Sequence, residues 1–316
     1  MLKQLRIAII LCALAMFSVL VAACGGDTGG STSTAGSGAA TKPAGGASSS
    51  GSSSTTACAT GTIQATGSTA LQPLVKAVAT DYQKKCSGAN ITIGGGGSGT
   101  GLKNAQDGSS AVGDSDIFAD KTKYPDLVDN QVAVVVFSVV INSKVTGVTN
   151  LTSAQLKDIY SGKTKNWKDL GGPSLPIVPV SRPTGSGTRV TFETYILNGK
   201  ESVSGNPVAN SSGDVSNTVG QTDGAVSYIA SDFAKKNNLT MVKLDGNDGS
   251  DANVQNNTYK FWNIEHMYTK GAASGLAQSF IAYVKGADTA STRQQQGFLD
   301  ISKMSQDAIA AKTPKS

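Results

Sequence analysis

Three times in this chain a short apolar segment runs into a loop of glycine and hydroxyl residues, and then into a segment of helical periodicity. The loops are Gly67-Ser68-Thr69, Gly97-Ser98-Gly99-Thr100 and Gly185-Ser186-Gly187-Thr188. Before them stand Thr62–Ala65, Asn90–Ile93 and Ile177–Val180, which read as strands. After the first come Leu71, Leu74, Val75, Val78 and Tyr82 at helical spacing, with Pro73 tolerated in the first turn. After the third, Val190–Leu197 reads as a helix closed by Asn198-Gly199. A strand–loop–helix unit repeated in this way predicts an α/β fold. A parallel sheet with helices on both faces is the expected arrangement, and ligands are expected beyond the carboxyl ends of its strands.

Further elements fit the same plan. Residues 132–142 are long and β-branched and read as a buried strand leaving a first domain. Leu151–Tyr160 reads as an amphipathic helix begun by Thr152 or Ser153, and Ala225–Ile229 as a strand. Leu276, Phe280, Ile281 and Val284 fall on one face of a helix near the C-terminus.

The N-terminus carries different information. Lys3 and Arg6 precede an apolar run from Ile7 to Leu20, too short for a membrane span, and Ala22-Ala23-Cys24 follows. Residues 1–23 are therefore expected to be a lipoprotein signal peptide, with Cys24 the lipid-bearing residue of a protein held at the extracytoplasmic face of the cell membrane. Residues 24–57 are almost all Gly, Ser, Thr and Ala, the composition of a flexible tether reaching roughly 30 Å. Cys12 lies in the signal, which leaves Cys58 and Cys86 in an oxidising compartment. Cys58 precedes the first strand and Cys86 ends the helix after it. A helix that returns antiparallel to its strand brings these two positions together, so a disulfide is expected.

Each loop offers backbone N–H groups and hydroxyls at the start of a helix, where the dipole and unpaired donors suit an anion. Arg182 and Arg189 add charge beside the third loop, and Arg182 has the fork that fits a tetrahedral oxyanion. Any one loop is equally a Gly/Ser turn beside surface arginines; three together point to one site. Asp116 reads in two ways: as a helix N-cap, or as an acceptor for the proton of monohydrogen phosphate. Sulfate has no such proton, so the second role would select phosphate over sulfate.

Other chemistries lack their residues. Ser98 and Ser186 are not in Gly-x-Ser-x-Gly, because Thr100 and Thr184 occupy the required glycine positions, which argues against a serine hydrolase. Gly162-Lys163-Thr164 imitates the end of a P-loop, but Lys157 stands where its first glycine belongs. His266 is the only histidine, so no metal is expected, and His266 and both tryptophans read as structural. Net charge is +5, and residues 1–23 contribute two of those charges without any acid. That balance, with no basic stripe among aromatics, gives no case for nucleic acid.

As a set, Thr66–Leu74 (TGSTALQPL), Gly97–Leu102 (GSGTGL), Gly113–Phe118 (GDSDIF) and Arg182–Glu193 (RPTGSGTRVTFE) resemble the phosphate-binding proteins of bacterial phosphate ABC transporters. Asp223–Tyr228, Trp262–Lys270 and Gly297–Ser302 extend the resemblance, especially to the shorter lipoprotein branch. The resemblance implies a two-lobed periplasmic binding protein-like fold of type II with hinge strands. Residues 58–140 and 255–316 would form lobe I and residues 141–254 lobe II. It implies inorganic phosphate as ligand, no cofactor, permease subunits as partners, a monomer, and no enzymatic activity. Phosphate would meet Ser68, Thr69 and Ala70 from the first loop, Ser98 from the second, Asp116 as proton acceptor, and Arg182, Ser186, Gly187 and Thr188 from the third. The longer branch has an aspartate where Thr184 stands and an aromatic residue where Ala70 stands. That leaves open how Arg182 is oriented and whether Arg189 shares its work. Another tetrahedral oxyanion (sulfate or molybdate) and a phosphate sensor without transport are the competing readings.

Overall fold

The computed structural model describes residues 58–314. The signal peptide, Cys24 and the tether lie outside the described residues.

The chain begins with β1 (Gly61–Gly67), α1 (Gln72–Lys85), β2 (Ala89–Gly96), α2 (Ser98–Asp107) and β3 (Val112–Ser115). A short β4 (Leu127–Val128) precedes the long β5 (Gln131–Ile141), which is buried from Val132 onward. Then come β6 (Asn150–Leu151), α3 (Ser153–Tyr160), β7 (Val178–Pro179) and α4 (Gly187–Phe192), which continues as a π-helical turn through Leu197. Next are α5 (Ser212–Gln221), β8 (Ala225–Ala230), α6 (Ser231–Lys236), β9 (Thr240–Leu244) and α7 (Asp251–Gln255). The chain returns along β10 (Trp262–Lys270) and ends with α8 (Gly275–Lys285), α9 (Ala290–Gln295), β11 (Phe298–Leu299) and α10 (Gln306–Lys312).

Local chemistry explains the element ends. Thr152 and Gln155 form a reciprocal capping box at the start of α3. Asn198 takes a left-handed conformation, φ 44°, and stops the helical run that began at Gly187. The Ser186 hydroxyl accepts from the Arg189 N–H, so the cap of α4 lies inside the glycine loop itself.

The sheet runs β2-β1-β3-β10-β5-β8-β7. It corrects the expectation of a parallel sheet. β1 is parallel to β2 and β3, and β7 to β8, but β10 is antiparallel to both β3 and β5, and β5 is antiparallel to β8. The reason is that β5 and β10 pass between the two halves instead of belonging to a strand–loop–helix unit. Within β5, Ala133–Val136 pair with β10, while Phe137–Ile141 pair with β8. One strand thus serves both halves of a two-lobed mixed α/β fold.

The core follows the sheet. Leu74, Val75, Val78 and Tyr82 of α1 are buried, as are Leu276, Phe280, Ile281 and Val284 of α8. Tyr82 meets Phe280 edge-on at 5.9 Å, so the two helices pack through their apolar faces. In the other half, Tyr160, Phe192 and Tyr228 cluster, with Phe192 stacked on Tyr228 at 4.2 Å. Trp167 and Trp262 are fully buried. Among the described residues no helix is long and apolar enough to cross a membrane, and no group of His, Cys, Asp and Glu could hold a metal ion.

Cys58 and Cys86 are bonded, with Cα atoms 5.3 Å apart and a sequence separation of 28. Closing a loop of that length removes unfolded-chain entropy worth about 3 kcal/mol. Calorimetry of the Cys58→Ser/Cys86→Ser double variant is therefore expected to show Tm lowered by roughly 6–12 °C. A Tm within a degree of the parent means the bond constrains little.

Candidate functional site

The three glycine loops converge, and they do so from both halves of the sheet. Gly99 donates its N–H to the Gly185 carbonyl at 2.9 Å. Thr188 Oγ1 donates to Asp116 Oδ2 at 3.0 Å. The Thr69 hydroxyl lies 3.2 Å from the Ser212 hydroxyl, accepts from the Ser212 N–H at 3.2 Å and receives Arg182 Nη2 at 3.4 Å. These bonds join residues 72 to 143 positions apart. Glycine is required at the closest point: a Cβ on Gly187 would stand 2.3 Å from Ser98 Oγ and 2.9 Å from Asp116 Cβ.

Within the first jaw, Ser98 is fully buried and its hydroxyl oxygen accepts the N–H of Asp116 at 3.0 Å. Ser68 is buried and its oxygen accepts from the N–H groups of Ala70 and Leu71. The Ala70 N–H is directed at Ser68, while the Thr69 hydroxyl reaches across to Ser212 and Arg182. Asp116 is buried; Thr188 serves its Oδ2, and no described donor reaches its Oδ1. Burial pushes the Asp116 carboxyl above its ordinary range, while the Ser68 and Thr188 hydroxyls and the Arg182 charge pull it back.

In the second jaw, Arg182 is almost fully buried. Its Nε donates to the Ala209 carbonyl at 2.8 Å, and its Nη1 has no partner among the described residues. Burial lowers its proton affinity, yet a guanidinium keeps its charge in proteins. A buried cation with a free N–H, beside a buried carboxylate with a free oxygen, calls for a partner that both accepts and donates. At the start of α4 the first N–H groups have no acceptor within the helix and add donors.

Arg189 is placed differently. Its Nε donates to Glu193 at 2.9 Å, its Nη2 lies 3.8 Å from Glu201, and its Nη1 donates to the Arg182 carbonyl at 2.6 Å. It is turned away from the loops and holds the backbone of Arg182. This answers how Arg182 is oriented without an aspartate at position 184: Ala209 grips the side chain and Arg189 the main chain. His266 is buried with Nδ1 2.8 Å from Asp129 and stacks on Tyr268. A cavity of about 230 Å³, lined in part by Val135, Ala230, Phe233 and Phe298, shares only Ala70 with the loops, and its mostly apolar wall suits no anion.

Some contributors escaped the sequence reading. Ser212 and Ala209 lie in a stretch, residues 200–212, without strand or helix periodicity. Asn210-Ser211-Ser212-Gly213 has the same glycine and hydroxyl composition as the three loops and opens α5, which was the available signal. Glu265 and Asp114 are fully buried in the sheet beside Asp116.

The model of the PBP superfamily domain matches residues 52–287, most of the chain. The phosphate-binding protein PstS of Bacillus subtilis is 39% identical over 250 residues, covering 78% of this chain and 83% of that protein. The chain belongs to the PstS family of phosphate-binding proteins. Among solved structures, a Clostridium perfringens substrate-binding protein with bound phosphate is 29% identical, with a TM-score of 0.72 over 76% of this chain and 100% of that one. An ABC-type phosphate transport receptor from Vibrio cholerae shares the fold, at 23% identity and a TM-score of 0.62 over 75% of this chain and 99% of that one. Within the PstS family, the convergent loops of this chain are the natural place to look for the ligand.

Proposed function

We propose that this chain captures monohydrogen phosphate between its two lobes and delivers it to the permease subunits of an ABC transporter for import. One observation carries the reading: Arg182 Nη1 and Asp116 Oδ1 are buried together without protein partners, one a donor and the other an acceptor. Monohydrogen phosphate offers both an oxyanion for the first and a proton for the second; sulfate and molybdate offer only the oxyanion. The same match favours phosphate over the other anions and gives no nucleophile or base a task, so the chain acts as a binding protein and not an enzyme. The phosphate contacts are Thr69, Ser98, Asp116, Arg182, Ser186, Gly187 and Thr188, with Ser68 and Ala70 shaping the first loop.

The lobes are residues 58–140 with 255–316, and residues 141–254; the change of partners along β5 near Phe137 supports that division. Closure brings Thr69, Gly99 and Asp116 against Ser212, Gly185 and Thr188 about the hinge strands, and the closed form is the one that docks. Residues 1–23 are removed, and a lipid on Cys24 tethers the monomer to the outer face of the membrane. Titration calorimetry with phosphate and with sulfate tests the reading: phosphate binds and sulfate does not. Equal binding of both anions, or no binding of phosphate, refutes it.

A further inference from the structure

Asp116 is backed by a second acid. β3 and β10 are antiparallel, with His266 opposite Ser115 and Met267 opposite Asp114. Continued by one residue, that register sets Glu265 directly across from Asp116. Side chains so placed leave the sheet on the same face with Cβ atoms about 5 Å apart. The pairing of β10 with β5 shifts register between Glu265 and His266, with Val132 of β5 as the extra residue. Asp114 precedes Asp116 by two residues and shares its face.

Glu265 is fully buried, and neither of its oxygens receives a hydrogen bond from a described donor; the same is true of Asp114 and of Asp116 Oδ1. Arg182 is the cation acting on Asp116. His266 projects to the other face and is bound to Asp129. Three buried carboxylates side by side, with a guanidinium acting on one of them, would be strongly unfavourable beside an anion. A proton between Glu265 and Asp116 removes the conflict, because it turns one carboxyl into a donor for the other.

We propose that Glu265 is a positioning residue that carries this proton, donating its O–H to Asp116 Oδ1. Asp116 is then fixed as an ionised acceptor, with Oδ2 taken by Thr188 and the second lone pair of Oδ1 left for the proton of bound phosphate. Burial first, then the neighbouring Asp116 and Asp114, hold the Glu265 carboxyl well above its usual range. Asp114 is raised in the same way, by burial and then Asp116, while hydroxyls and Arg182 moderate the rise at Asp116. That contrast leaves Asp116 the ionised member, and the ladder opposition makes Glu265 its donor. The inference rests on the reading of Asp116 as phosphate's proton acceptor.

The test is calorimetry of phosphate and sulfate binding from pH 6 to pH 9 on the parent chain, Glu265→Gln and Glu265→Leu. The amide retains a donor, so Glu265→Gln keeps phosphate affinity within about threefold and keeps the preference for phosphate. The leucine leaves Asp116 undirected, and Glu265→Leu lowers the preference about tenfold or more. Sulfate binding gained by Glu265→Gln overturns the proposal, since it means an ionised Glu265 was repelling the anion. An undiminished preference in Glu265→Leu also overturns it. Should the leucine variant not fold, carboxyl ¹³C NMR of the parent decides: an ionised Glu265 at pH 7 is fatal to the idea. A parent chain without preference for phosphate refutes the reading of Asp116 itself, whereas a selective parent with either adverse variant result refutes the role of Glu265 alone.

Discussion

Arg182→Ala is expected to weaken phosphate binding by about 2–5 kcal/mol, roughly 30- to 5,000-fold in Kd. Two effects add. The variant loses the buried charge whose Nη1 has no partner within the described residues, and it loses the guanidinium bonds that reach Thr69 and Ala209. The first removes attraction for the anion, and the second removes one tie across the closed cleft. Arg182→Lys retains a positive charge but not the planar fork, so an intermediate loss is expected. Calorimetry at fixed salt checks both, with thermal unfolding as a control for the fold. An alanine variant that binds phosphate like the parent places the anion elsewhere.

Asp116→Asn is expected to change preference more than affinity. The amide removes a buried negative charge, so sulfate binds better; it also offers phosphate's proton a weaker acceptor, so phosphate binds less well. Losing a hydrogen bond to a charged group costs about 1.5–3 kcal/mol, so the ratio of phosphate to sulfate affinity should fall roughly 10- to 150-fold. Asp116 begins no helix and so is not the N-cap of the alternative reading, but a structural role competes, since it accepts from Thr188 and its N–H bonds Ser98. If Asp116 only ties the jaws together, Asn weakens both anions alike and the ratio stays constant.

What could be read in the sequence was local. The glycine and hydroxyl residues of the three loops declare their conformation and chemistry at short range, and the cysteine pair follows from the geometry of one strand and one helix. The direction of β5 and β10 was not readable, because an apolar strand has the same pattern whichever way its neighbours run. Arg189 illustrates the same limit at the site. Beside a phosphate-like loop it looked like a second ligand. Its partner Glu193 stands four residues on, the spacing that pairs charges on a helix, and that became decisive only once α4 was seen to begin at Gly187. Glu265 was hidden for a different reason: its opposition to Asp116 depends on strand register between residues about 150 apart, which no local pattern encodes.

The central claim is that one phosphate bridges Arg182 and Asp116. A crystal structure of the chain grown with phosphate tests it most directly. The expected result is a single phosphate between the jaws, with one oxygen within about 3 Å of the Arg182 guanidinium and another within about 2.7 Å of an Asp116 carboxylate oxygen. A phosphate bound elsewhere, or one that meets Arg182 while Asp116 remains beyond hydrogen-bonding distance, would contradict it.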